Sequence, residues 1–215
     1  TRTRCSPVSR GEGVLLRRRP TLRLPTPRLE LRPPEMADQI PWARLRRDSE
    51  GFLKDWEPIW ARDHLTRNAF RNRVIWAKRM IEDGRGAPLF IFANGADDLP
   101  AGTLVGAITL DNIRRGPAQA GTVGYWIGEP FARRGYMTEA LAATRDHAFG
   151  ALDLSRIEAA CLPENAPSRA LLERCGFKYE GVAQSYLQIA GRWRSHVLYA
   201  ALRSDRRGRT EPARG

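Results

Sequence analysis

G-Y-W-I-G-E-P-F-A-R-R-G-Y-M-T-E-A, residues 124–140, joins a strand end to a helix start. The strand side, Thr122 to Ile127, carries β-branched and aromatic residues and meets a Gly-Glu-Pro turn. On the helix side Met137, Leu141, Thr144 and Ala148 recur on one face as far as Phe149, and Gly150 closes the period. A helix N-terminus exposes unpaired N–H groups and about half a positive charge. Arg133, Arg134 and Gly135, leading straight into such a terminus, form a cradle for an anion such as a phosphate. Gly135 would let a diphosphate come close where a Cβ would otherwise stand. The stretch contains neither G-x-G-x-x-G nor G-K-[ST], so dinucleotide and P-loop readings gain no support.

Working outward, Arg156 to Leu162 reads as the next strand, and a helical crossover makes it parallel to Thr122 to Ile127. Upstream, Pro88 to Ala93 and Thr103 to Leu110 read as two strands around a Gly/Asp/Pro turn, preceded by a helix from a Thr66 cap to Glu82. In that helix Phe70, Val74, Ile75 and Trp76 are spaced for burial. Met36 to Leu53, interrupted by Pro41 and Gly51, reads as a helix and a shorter helical piece, and D-W-E-P-I-W, residues 55–60, as a loop. Leu29 and Leu31 mark a short first strand. Downstream, Asn165 and Pro167 open a helix that Gly176 stops, and two strands near 180–189 and 193–202 turn at Ala190-Gly191. The order predicts an α+β fold with a mixed central sheet of six or seven strands and about four helices.

With 215 residues, 42% of them hydrophobic, the chain holds enough apolar material for one sizeable domain. The expected organisation is a flexible basic segment 1–24, a folded domain 25–203 and a flexible basic tail 204–215. The net charge of +12 suggests nucleic acid until it is located. Six arginines against Glu12 in residues 1–20, and five against Asp205 and Glu211 in residues 203–215, carry eight of those twelve charges. The body is only mildly basic, so a weak ribosome or RNA contact through the tails is the most the charge supports. No window approaches a membrane span, and the arginine-rich start has no apolar stretch behind it. Three cysteines without a C-x-x-C spacing point to reduced thiols, no metal site and a cytoplasmic setting. Cys161 and Cys175 fall at positions expected to be buried, and His64, His147 and His196 form no constellation.

The segment A-R-R-G-Y-M, residues 132–137, resembles the acyl-CoA-binding motif Q/R-x-x-G-x-G/A of the GNAT N-acetyltransferases, with Ala132 and Met137 departing from it. The flanks agree: P-T-P-R-L-E-L-R-P at 25–33, G-Y-W-I-G at 124–128 and E-N-A-P-S-R-A-L-L-E-R-C-G-F-K-Y-E-G at 164–181 resemble the RimJ/RimL-type branch. That branch acetylates N-terminal amines of ribosomal proteins, and the D-W-E-P-I-W loop resembles its alanine-directed members. The resemblance implies a GNAT fold and acetyl-CoA as cosubstrate without a metal. It places the pyrophosphate at Arg133, Arg134, Gly135, Tyr136, Met137 and Thr138. Main-chain groups of Trp126 and Ile127 would bind the pantetheine arm and polarise the thioester. Asn165 would contact CoA and Ser168 its sulfur, with Tyr186 and Tyr199 as further proton donors on the last hairpin.

The chemistry needs a neutral amine, a stabilised oxyanion and a proton for the departing thiolate. An α-amine, with a pKa of about 7.7–8.0, is roughly a tenth neutral at pH 7, whereas a lysine near 10.4 is far less so. A weak base suffices, and positioning carries most of the rate. Glu57 is the expected holder of the substrate ammonium and relay for its proton, with Glu129 second. The expected reaction is transfer of acetyl to a protein N-terminus. The alternatives are a small-molecule amine, such as a polyamine or aminoglycoside, and a non-catalytic ribosome- or RNA-binding protein on the same scaffold.

Overall fold

The computed structural model describes residues 22–204; the expected flexible tails lie almost wholly outside them. The strands are β1 (Leu24–Pro25), β2 (Leu29–Arg32), β3 (Ala87–Ala93), β4 (Leu104–Arg114), β5 (Ala120–Ile127), β6 (Arg156–Cys161), β7 (Lys178–Ile189) and β8 (Arg192–Leu202). They form one sheet in the order β1-β2-β3-β4-β5-β6-β8-β7. The helices are α1 (Gln39–Asp48), α2 (Glu50–Leu53), α3 (Arg67–Glu82), α4 (Tyr136–Phe149) and α5 (Ala166–Arg174). Among the described residues no helix is long and apolar enough to cross a membrane.

The strand count exceeds the sequence expectation by one. The eighth strand is β1, where Leu24 pairs with Leu31 and Pro25 with Glu30, straddling the expected start of the folded domain. Pro25 is tolerated because it sits at the sheet edge, where its missing N–H breaks no interior ladder. The shorter helical piece expected after α1 is α2, four residues around Gly51. In α3 the Thr66 side chain accepts from the amide of Ala69, as an N-cap should, and the buried stripe is Phe70 and Ala77. Ile75 and Trp76, expected inside, are 43% and 41% exposed because they fall beside that stripe.

The sheet has two covered faces. Under α4 and α5, Leu89 and Ile91 of β3 join Met137, Ala140, Leu141 and Leu172 in the larger core. Under α1 and α3, the alternate residues Phe90 and Phe92 join Trp42, Leu45 and Phe70, with Trp126 packed against them.

Among the described residues only the β5–β6 pair is parallel, as the crossover through α4 requires. It is also short. Ala120, Gly121 and Thr122 pair with Arg156, Ile157 and Glu158, and there the ladder ends. Beyond it β5 stays on β4 as far as Ile127, paired with Gly106, while β6 stays on β8 as far as Cys161, paired with Val197. The two strands therefore part into a wedge.

Its β5 side is held by a close approach: a Cβ on Gly128 would lie 2.4 Å from Cδ1 of Leu45, on the α1 face. Gly128→Ala is expected to lower stability by about 1–3 kcal/mol through overpacking, with Leu45→Ala in the same chain recovering part of the loss relative to the two single changes added together. Urea unfolding of the four proteins measures this; additive losses would show that the contact does not couple them.

Candidate active site

Main-chain direction along β5 follows from two bonds at its ends. The carbonyl of Gln119 accepts from the amides of Ser155 and Arg156 on the β6 side, at 2.7 and 3.2 Å. The amide of Gly128 donates to Val105 on the β4 side, at 2.9 Å. Because strand groups alternate, Tyr125 and Ile127 turn their main-chain N–H and C=O into the wedge. Trp126 turns its own toward β4, and its carbonyl oxygen lies 2.5 Å from where a Gly106 Cβ would stand. Of the pair named from sequence, Ile127 faces the wedge with its backbone, and Trp126 must be corrected to a side-chain role on the α1 face. The parity of a strand is invisible until both ends are anchored.

The turn into α4 is built from two left-handed residues, Arg133 at φ 62° and Gly135 at φ 81°. Gly135 is required by that conformation, and a Cβ on it would meet the Arg28 guanidinium at 3.3 Å. Arg28 also donates to the carbonyl of Arg134 at 3.2 Å, to the Glu139 carboxylate at 2.8 Å, and stacks on the Tyr136 ring. Its guanidinium thus clamps the turn from outside. Arg133 and Arg134 are exposed beside the free helix end. Tyr136 and Met137 are buried, the Tyr136 hydroxyl donating to Asp97 at 2.8 Å, so only their amides, with that of Thr138, are offered to an anion.

At the start of α5 the Asn165 side chain accepts from the Ser168 amide at 3.1 Å, an N-cap that fixes Ser168. The Ser168 hydroxyl then pairs with that of Tyr125 at 2.8 Å. Burial pushes the Tyr125 phenol above its ordinary range, with the Ser168 bond opposing, so at neutral pH it is a proton donor and not a base. Cys161, at the last position of β6, is buried and its thiol is likewise pushed up by burial. Tyr125 carries no sequence signal beyond its place in G-Y-W-I-G. It stands on Ser168, whereas Tyr186 is 44% exposed with its ring against His196, and the Tyr199 hydroxyl donates to Glu173. Of the tyrosines, it is Tyr125 and not the expected Tyr186 that pairs with the Ser168 hydroxyl.

Glu57 is not a free carboxylate. Its oxygens are taken by the Arg46 guanidinium, one at 2.8 Å, and by the Trp60 indole N–H at 2.7 Å. Arg46, eleven residues earlier in sequence, lies nearly buried between the rings of Trp60 and Trp126, at 4.2 and 4.7 Å. The role of ammonium holder and proton relay expected of Glu57 is therefore corrected to that of an ion-pair partner. Glu129 is exposed, with its amide on the Ser49 hydroxyl. Among the described residues no group of His, Cys, Asp and Glu could hold a metal ion.

Comparison with known proteins identifies the family of this fold. Residues 28–178 match the family model for the acetyltransferase (GNAT) domain. The chain is 33% identical to the probable N-acetyltransferase YjcK of Bacillus subtilis, covering 81% of this chain and 94% of that one. It is 33% identical to the [ribosomal protein uS5]-alanine N-acetyltransferase of Escherichia coli, covering 86% and 93%. The solved structure of Mycobacterium smegmatis RimJ in complex with CoA-disulfide superposes with a TM-score of 0.75 at 34% identity, covering 81% of this chain and 82% of that one.

One titrating group separates itself. His64 stacks on Trp42 and Trp60, at 5.2 and 5.0 Å, with its Nε2 buried and unpartnered. Burial, then the cations of Arg46 and Arg73, push it down to about 4. The unfolded chain, with histidine near 6.5, binds the extra proton between those values, so this contribution to stability is present above about pH 6.5 and lost as pH falls toward 4. His64→Asn is expected to flatten that part of the loss when urea midpoints are measured from pH 7 to 4. An unchanged slope would assign the loss elsewhere.

Proposed function

The chain belongs to the GNAT acetyltransferase family, and from that premise we propose that it transfers acetyl from acetyl-CoA to the N-terminal α-amine of a protein, most like the ribosomal-protein-alanine enzymes. The observation that carries the reading is the wedge between β5 and β6 with the Ser168–Tyr125 hydroxyl pair at its mouth. A pantetheine arm fits such a gap as an added strand, on the main-chain groups of Tyr125 and Ile127. Arg133, Arg134 and the first amides of α4 suit its pyrophosphate.

The residues then divide the work. The Ile127 amide faces the position where negative charge develops on the thioester oxygen. As the neutral amine's nitrogen bonds to the carbonyl carbon and the carbon–sulfur bond breaks, Ser168 gives its proton to the departing thiolate, Tyr125 replaces it, and the Tyr125 phenol recovers a proton from water. Asn165 holds Ser168 in place. The ammonium gives one proton to water before attack, which needs no strong base because a neutral fraction of roughly a tenth is already present for an α-amine at pH 7. The proton the nitrogen sheds once the C–N bond has formed also passes to water, balancing the one Tyr125 takes up. On the opposite face Trp60, joined to Trp126 of β5 through Arg46, and Ile59, against the β7–β8 turn, suit a small first side chain such as Ala or Ser. A lysine would arrive almost wholly charged, at about 1.4 kcal/mol per pKa unit.

Mass spectrometry of a peptide panel with acetyl-CoA is expected to show α-acetylation of Ala- and Ser-starting peptides, and little transfer to α-blocked lysine peptides or polyamines. Equal rates on blocked lysine peptides would reject the terminal-amine reading. Separately, Ser168→Ala is expected to lower kcat by about 100-fold, within the range for a positioned acid, while the KM for acetyl-CoA stays near wild type. Undiminished CoA release would remove Ser168 from the proton path.

A further inference from the structure

We propose that Arg46 is a positioning residue that assembles the acceptor side of the site by tying the 54–66 loop to the end of β5. It rests on the reading that the acceptor enters on the α1 face. Arg46 projects from α1 with its side chain 5% exposed. Its planar guanidinium forks onto both oxygens of Glu57 and fills the gap between Trp60 of the loop and Trp126 of β5. The loop is closed by Trp60, whose indole N–H bonds the same carboxylate. Glu57 also holds the other wall: its carbonyl accepts from the Ala190 amide at 2.9 Å, and Ile59 packs on Gly191, at the β7–β8 turn. One buried cation therefore joins α1, the loop and β5, and through Glu57 reaches the last hairpin.

Stability does not explain this choice. A buried ion pair is commonly no better than well-packed apolar residues, since desolvation consumes the Coulombic gain. This pair carries extra cost, because Arg46 Nε is buried without a partner and Arg73, held over Trp42, adds a second cation nearby. What the arrangement supplies is geometry. Only a planar fork can bond a carboxylate twice while both faces stack on rings, which lysine cannot do. Neutralising Glu57 also keeps the acceptor side from presenting a lone carboxylate that would trap the amine as ammonium. The pyrophosphate turn, across the sheet on the α4 side, lies outside this network.

The test compares wild type, Arg46→Lys and the double variant Arg46→Met/Glu57→Gln, which leaves no unpaired charge. Each is assayed with acetyl-CoA and with whichever amine of the peptide, lysine and polyamine panel wild type turns over best. The result expected is an acceptor KM raised at least tenfold in both variants, an acetyl-CoA KM within twofold of wild type, and a native circular-dichroism spectrum. Wild-type acceptor KM in the double variant would overturn the proposal. So would a parallel rise in both KM values, or failure of both variants to fold, since either makes Arg46 a residue of the fold at large. Because the acceptor is chosen by turnover, a panel that rejects the terminal-amine reading still leaves the KM comparison measurable.

Discussion

A parallel strand pair that stops after three rungs is the constraint from which the other features follow. Parallel neighbours need a crossover, here α4, and a crossover returns the chain beside its starting strand. Nothing in that geometry makes the pair separate. Separation comes from stronger engagements on the outer sides: β5 is zipped to β4 up to Ile127 and pinned by Gly128 under Leu45, while β6 runs its whole length against β8. The open edges left inside the sheet carry backbone groups that a bound extended chain can satisfy, which unpaired buried groups require. The gap also opens where α4 and α5 both present their N-terminal ends, so an anion cradle and a hydroxyl come to it together.

The two faces of the sheet divide the labour. On the α4 and α5 face the turn at Arg133–Gly135, the clamp by Arg28 and the Ser168–Tyr125 pair are arranged along the wedge. On the other face the network of Arg46, Glu57, Trp60 and His64 is aromatic and cationic, and it meets the wedge only through Trp126. One strand thus serves both faces by alternation, Tyr125 and Trp126 pointing to opposite sides of β5. Moving β5 by one residue would exchange them and break both the Tyr125–Ser168 pair and the Trp126–Arg46 stack, a strong reason for the register to be pinned at Gly106 and Gly128, where side chains would collide.

Much of this was legible in the residues, and the exceptions share a cause. The order of elements, the parallel pair, the Thr66 and Asn165 caps and the buried cysteines follow from local period and capping chemistry, which neighbouring residues determine. What escaped depends on distant partners. Glu57 reads as a free carboxylate able to hold an ammonium because nothing in D-W-E-P-I-W announces that Arg46 will fork onto it. Tyr125 reads as a strand aromatic because Ser168 is 43 residues away. Gly135 invites an explanation from ligand approach, yet its left-handed φ and the nearby Arg28 suffice. β1 hides behind prolines that argue against a strand anywhere but an edge.

The same contrast bears on which side of the site can change while the fold persists. In the proposed reading, backbone groups and helix ends would receive the cosubstrate on the α4 side, and these belong to any sequence that builds the wedge, so most side-chain replacement there would leave cosubstrate binding intact. On the α1 side the walls are side chains on a loop whose carbonyl and carboxylate are each bonded to a different element. A loop fixed at two points by one residue can alter what it admits through small changes in Trp56 or Ile59, which are exposed and make none of those bonds. Acceptor preference is therefore free to vary independently of cosubstrate binding, provided Arg46 and Glu57 continue to hold the loop to the sheet.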